Sequence, residues 1–179
     1  AGLADRSAAD AMADYLDLAA SKGFDQAELH AIGDALDYAA YWLKYDAGRG
    51  VTNDILDVAG TNGRHDRIVD LLASRADRDI EIQLDDALPH VEVEELANGV
   101  RLNQLDVERF ARRFTYPAPG TTTGAIHDHM VRQHDDPTIT IGLGPDFAVL
   151  RSDGVRLDIP EMVTELNDEL AGAGVSGGG

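Results

Sequence analysis

The chain has no cysteine, almost no lysine, few aromatic residues and no long apolar run. Without cysteine there can be no disulfides and no thiolate metal site, and the composition points to a cytoplasmic protein. Without a stretch of 18 or more apolar residues there is no helix that could span a bilayer, and no membrane partner is expected. Of the 15 basic residues only Lys22 and Lys44 are lysines. They face 33 acidic residues, among which Asp greatly outnumbers Glu, for a net charge of −18. Such a surface suits molar salt, where the Debye length falls to about 3 Å and dense carboxylates hold water without repelling one another. Local Arg clusters, rather than net charge, would then have to meet any nucleic acid.

What is present is enough for a core: 44% of the 179 residues are apolar. Ser7 reads as an N-cap for a helix over 8–20, with Met12, Tyr15, Leu16 and Ala19 on one face. Asp25 caps a second helix, about Gln26–Tyr45, with Tyr38, Tyr41 and Trp42 beside its apolar stripe. At this spacing the three rings read as core rather than as a base-stacking platform. A short helix over 53–58 follows, then a long one from His65 to about Ala87, ended by Pro89. Its Arg75–Ala76–Asp77–Arg78 stretch reads as a solvated connector.

Beyond Pro89 the period changes from 3.6 to 2. Alternation over 91–96 leads through Asn98–Gly99, a hairpin signal, into 100–105. A short helix is expected over Val107–Phe114. Another runs from Thr121 to about Gln133, then strands at 138–142 and 147–151, and a closing helix over 161–170 with Pro160 at its first position. The fold class is mixed α/β: a helical part, then a sheet flanked by helices. The expected divisions are 1–62, a long linker helix at 63–89, and 90–179.

Both ends read as cut. The chain opens on Ala1–Gly2–Leu3–Ala4–Asp5–Arg6, like the middle of a domain. It closes on Gly172–Ala173–Gly174–Val175–Ser176–Gly177–Gly178–Gly179, like the start of a phosphate-binding loop. A flexible tail would also end in glycines. The expectation is a piece of a longer protein.

Four segments carry a resemblance, in order along nearly the whole chain: Gly2–Arg6; Tyr116–Gly120 with the Thr-Gly helix start after it; Thr140–Ser152; and Gly174–Gly179. Together they resemble the DHH-family phosphoesterases, most closely the archaeal RecJ-like single-strand exonucleases of halophiles. The resemblance implies an N-terminal DHH domain with two metals, a linker helix, and a C-terminal DHHA1 domain that holds substrate. This chain would carry the tail of the first, the linker, and a truncated second. The Asp-His-His signature is absent, so the piece alone is expected to be inactive.

The resemblance makes Asp5 a metal ligand of the whole protein, for Mn²⁺ or Mg²⁺, which are hard ions; otherwise it is a surface Asp ahead of a helix. It makes Gly177, Gly178 and Gly179 phosphate binders and Arg151 a substrate-phosphate residue, as a guanidinium fork suits. Arg156 is a weaker companion. Thr121, Thr122 and Thr123 offer an anion site at a helix start, or plain capping. Arg109, Arg112 and Arg113, interleaved with Phe110 and Phe114, could follow a single-stranded backbone, or form a salt-bridged helix face. His127, Asp128, His129, His134, Asp135 and Asp136 read as a solvated acidic helix end, not a metal site, since His127 and His129 point about 200° apart on a helix. The partners implied are single-stranded DNA or RNA, the missing DHH domain, and replication or repair proteins. Two other functions stay open: hydrolysis of short oligonucleotides or cyclic dinucleotides, and a non-catalytic docking module of a replication assembly.

Overall fold

A computed structural model describes residues 17, 20, 21, 23–45, 66–170, 172 and 174–177. The expected helix over 8–20 apart from Asp17 and Ala20, the expected helix over 53–58, Asp5, Gly178, Gly179 and the Trp42 side chain lie outside the described residues or side chains. The chain divides into two compact units: Ala1–Gln83 with Ala111–Ala118, and Leu84–Phe110 with Pro119–Gly179.

The first unit is helical. Helix α1 spans Gln26–Tyr45 and α2 spans Asp66–Ala87. A reciprocal pair of bonds starts α1: the Glu28 N–H donates to Asp25 Oδ1 and the Asp25 N–H to Glu28 Oε2, both at 2.8 Å. Two donors that the helix leaves unpaired are thereby satisfied. Ala35, Ala39 and Val69 are buried together, with Ala31, Ile32, Leu36 and Leu72 packed around them. Tyr38 is buried, as its spacing required, and Tyr116 stands edge-on to it at 5.0 Å and to Tyr41 at 5.8 Å. Ala76 is fully buried, so the Arg75–Arg78 stretch is no solvated connector: one of its faces packs.

The second unit is a four-stranded mixed sheet in the order β1-β2-β3-β4. A 3₁₀ turn, Leu88–His90, leads into β1 (Glu92–Glu95), which pairs antiparallel with β2 (Arg101–Asp106). Asn98 and Gly99 turn the hairpin with φ of 67° and 74°, a region Asn and Gly enter readily. Helix α3 (Pro119–Gln133) crosses from β2 to its parallel neighbour β3 (Thr138–Leu143). β4 (Ala148–Asp153) returns antiparallel, and α4 (Ile159–Glu169) follows. Asp158 caps α4 by accepting the Glu161 N–H at 3.1 Å.

One expected helix is absent. Over Val107–Phe114 only a 3₁₀ turn, Val107–Arg109, forms. Phe114 has a φ of 70°, which no helix tolerates, and the chain has already passed from the sheet unit into the helical one at Ala111. Also, α3 begins at Pro119, two residues before the expected start, with proline at its first position, where its missing N–H costs nothing.

Candidate functional site

Register places Val93, Asn103, Thr140 and Arg151 side by side across β1, β2, β3 and β4. Neighbouring residues in register share a face of the sheet. Asn103 and Thr140 are fully buried on that face, and α3 contacts both β3 and β4. The α3–sheet interface is unusually polar. Thr122, Thr123, His127 and Thr138 are buried there as well.

Thr140 is the hub. Asn103 Nδ2 donates to Thr140 Oγ1 at 3.3 Å, and His127 Nδ1 lies 2.9 Å from the same oxygen. The assignment that uses each atom once has the Thr140 hydroxyl donating to a neutral His127 that carries its proton on Nε2. Burial pushes the His127 pKa down, and Arg151 adds to this, against Asp128 and Asp153, which raise it. Asn103 Oδ1 is buried without a hydrogen-bond partner among the described residues.

Arg151 lies over the first turns of α3. Its Nη2 donates to the Gly120 carbonyl at 3.4 Å and its Nη1 to the Leu150 carbonyl at 3.0 Å. A Cβ on Gly120 would sit 3.9 Å from Arg151 Nη2, and one on Gly124 3.7 Å from Nε. The two glycines, one helical turn apart, leave a smooth bed for the guanidinium. Two of its five N–H donors are spent on carbonyls, and the side chain stays exposed. An anion at this place would meet a guanidinium and the positive end of α3 together.

The threonines contribute less than their position predicts. Thr122 and Thr123 face the sheet, 2% and 0% exposed. The Thr123 hydroxyl donates to the Pro119 carbonyl at 2.8 Å and fills the space a Cβ on Gly142 would need. Only Thr121 is half-buried. Gly177 packs on α4, where a Cβ would come within 3.1 Å of Val163 and 3.5 Å of Ile159. Arg109, Arg112 and Arg113 are all exposed but share no helix: Arg109 belongs to the sheet unit, the other two to the helical one. Arg156 is exposed beyond β4. His127 is not on a solvated helix end; it is 7% exposed, and His129 bonds Gln133 instead. Among the described residues no three His, Asp or Glu gather into a cation site.

The sequence reading passed over Asn103, and it held Thr140, Gly120 and Gly124 only within motifs, without the hub role of the first or the bed the two glycines form beneath Arg151. The Gly-Thr-Thr-Thr-Gly run at 120–124, with glycines at i and i+4 of a helix, was the available signal.

A groove of about 520 Å³ opens at the carboxyl ends of β2 and β3, lined by His90, Glu92, Gln104, Asp106, Arg109 and Phe110 among others. No helix among the described residues is long and apolar enough to cross a membrane.

No protein-family model matches the chain. It is 38% identical over 167 residues to an uncharacterized protein, MJ1198, of Methanocaldococcus jannaschii, covering 87% of this chain and 22% of that one. It is similar, at a TM-score of 0.79 and 38% identity, to a solved structure described as the PF0399 DHH domain, from a member of a family of ribosomal proteins. That likeness covers 98% of this chain and 41% of the solved one, so the chain spans well under half of either relative. Of the two, the solved structure is the one described as a DHH domain, and the likeness to it is what connects this chain with DHH proteins.

Proposed function

We propose that the chain is the substrate-holding portion of a metal-dependent DHH-family phosphodiesterase that hydrolyses single-stranded nucleic acid, in the manner of RecJ-like exonucleases. The observation that carries this is Arg151, an exposed guanidinium laid on the glycine bed at the amino end of α3. It offers a phosphate two directional donors or more beside a helix terminus, with no carboxylate bonded to it among the described residues. The buried Asn103–Thr140–His127 chain holds the neighbouring strand positions in place beneath it. In this reading Gly177, Gly178 and Gly179 also serve phosphate binding, and Arg109, Arg112 and Arg113 are candidates for backbone contact.

Hydrolysis itself needs Mn²⁺ or Mg²⁺, which activates water and neutralises the phosphate. In this proposal the ions belong to segments outside the described residues, Asp5 among them.

Fluorescence anisotropy of a labelled single-stranded 20-mer in molar KCl tests the reading, with a dinucleotide as competitor. The expected result is binding that Arg151→Ala weakens about tenfold. A dinucleotide that competes as well as the 20-mer, mole for mole, would move the substrate to short oligonucleotides. Binding indifferent to Arg151→Ala would overturn the assignment of the phosphate site, and no binding to either would overturn the substrate class.

A further inference from the structure

We infer that the groove at the carboxyl ends of β2 and β3 is a nucleobase pocket that prefers guanine. The inference rests on the nucleic-acid reading for its biological meaning, but its chemistry is independent of Arg151.

The groove lies on the other side of the sheet. Thr140 and Asn103 face α3; Leu143 and Gln104, at odd offsets from them along the same strands, point the opposite way. Glu92 stands opposite Gln104 in register and shares its face. The Leu88–His90 turn and the Val107–Arg109 turn, with Phe110 after it, close the ends. All these residues belong to the sheet unit. The volume, about 520 Å³, falls in the range of small-molecule sites.

Three flat groups lie in contact along it. The His90 and Phe110 rings are 5.2 Å apart and inclined by 35°, and the Arg109 guanidinium lies 5.6 Å from the Phe110 ring centre. His90 and Arg109 are exposed, so each can present a flat surface to a ligand. A planar ligand extends such a stack, as bases do on aromatic and guanidinium planes.

The polar groups choose among planar ligands. Glu92 and Asp106 are carboxylates that only accept, and both are exposed. With one arginine against two carboxylates, the groove repels a phosphate ion and calls for N–H donors. A lipid tail is excluded by the same three charges. A flat, neutral ring bearing adjacent N–H donors is a nucleobase, and guanine sets N1–H and N2–H₂ side by side for one carboxylate. Gln104 can both donate to and accept from the remaining edge. Uracil has a single ring N–H and no amine, so it gains least.

The test titrates the full chain with guanosine, inosine and uridine, which carry no phosphate, followed by NMR in molar KCl. Guanosine is expected to bind with a Kd near or below the millimolar range. Inosine, which lacks the 2-amine, should bind about fivefold more weakly, and uridine weaker still. Asp106→Asn and His90→Ala, both at exposed positions that the fold tolerates, should each weaken guanosine at least fivefold; circular dichroism checks the fold. Equal binding of guanosine and uridine, or guanosine binding untouched by both variants, would overturn the pocket. Guanosine that fails to bind, while a 20-mer binds and is weakened by Arg151→Ala, would sink the pocket and leave the substrate-holding reading standing.

Discussion

Asn167 holds the main chain of Val175 by both of its polar groups. The Val175 N–H donates to Asn167 Oδ1 and Asn167 Nδ2 donates to the Val175 carbonyl, each at 2.8 Å. The side-chain amide thus acts as a one-residue strand. It folds the glycine-rich segment back along α4 and brings Gly177 against Val163.

Loss of this clamp is a local event. Asn167→Leu removes three hydrogen bonds: the one Nδ2 donates to the Val163 carbonyl at 2.9 Å and the two to Val175, the latter pair together worth about 1–3 kcal/mol. Amide exchange at Val175 is expected to accelerate by about 5–150-fold while the helical signal of α4 persists. Unchanged exchange at Val175 would mean that packing on Val163, not the amide, fixes the segment.

Gly142 is required by the approach of α3. A Cβ there would collide with Thr123 Oγ1 and lie 3.2 Å from Val107 Cβ. Gly142→Ala should destabilise the protein by about 1–3 kcal/mol. Adding Thr123→Ala removes the colliding hydroxyl and should recover part of that loss, measured by denaturant midpoint. Full additivity of the two changes would contradict the contact.

His127 gives stability a pH dependence of known sign. Its folded pKa lies below the ordinary 6.5, so the unfolded chain binds the proton more tightly. The contribution is complete above about pH 6.5 and is lost as pH falls from there through the lowered folded value. Thermal melts between pH 7.5 and 5 should therefore show a falling midpoint, and His127→Gln should flatten that part of the profile. A variant as pH-sensitive as the parent would remove His127 as the cause.

Asp34 works in the opposite direction. Burial raises its pKa first, and the carboxylates of Asp77 and Asp37 add to this, against His30. A raised carboxylate pKa favours the protonated form in the fold, so its stabilising effect is present below 3.8 and is lost as pH rises through the raised value. At neutral pH, Asp34→Asn is expected to raise the melting temperature by about 1–3 °C. The gain should shrink in molar KCl as the repulsive part is screened, while the part due to burial remains. A lower melting temperature at every salt concentration would show that the carboxylate has a stabilising partner.

Much of this fold is legible from local signals. Asp25, Pro89, Asn98–Gly99 and Pro160 each mark an element end through a backbone preference that tertiary context does not overturn. The 107–114 stretch was misleading for a physical reason. Val107, Phe110, Ala111 and Phe114 fall at i, i+3, i+4 and i+7, yet Val107 and Ala111 are buried in different units. Periodicity cannot tell one buried helix face from two separate anchor points. The buried row of Asn103, Thr140 and His127 was hidden because hydropathy counts such residues as surface. Arg151 could be singled out, but not its bed, since Gly120 and Gly124 read as helix-start punctuation and not as space for a guanidinium.

The threonine- and asparagine-lined seam between α3 and the sheet bears on how this unit responds to temperature. Unfolding exposes polar surface there in place of the hydrocarbon that usually fills such a seam, and polar hydration lowers the heat-capacity change. The stability curve of the sheet unit is thereby flattened. At a given melting temperature and enthalpy, a smaller heat-capacity change bends the curve less, so stability falls off more slowly on cooling.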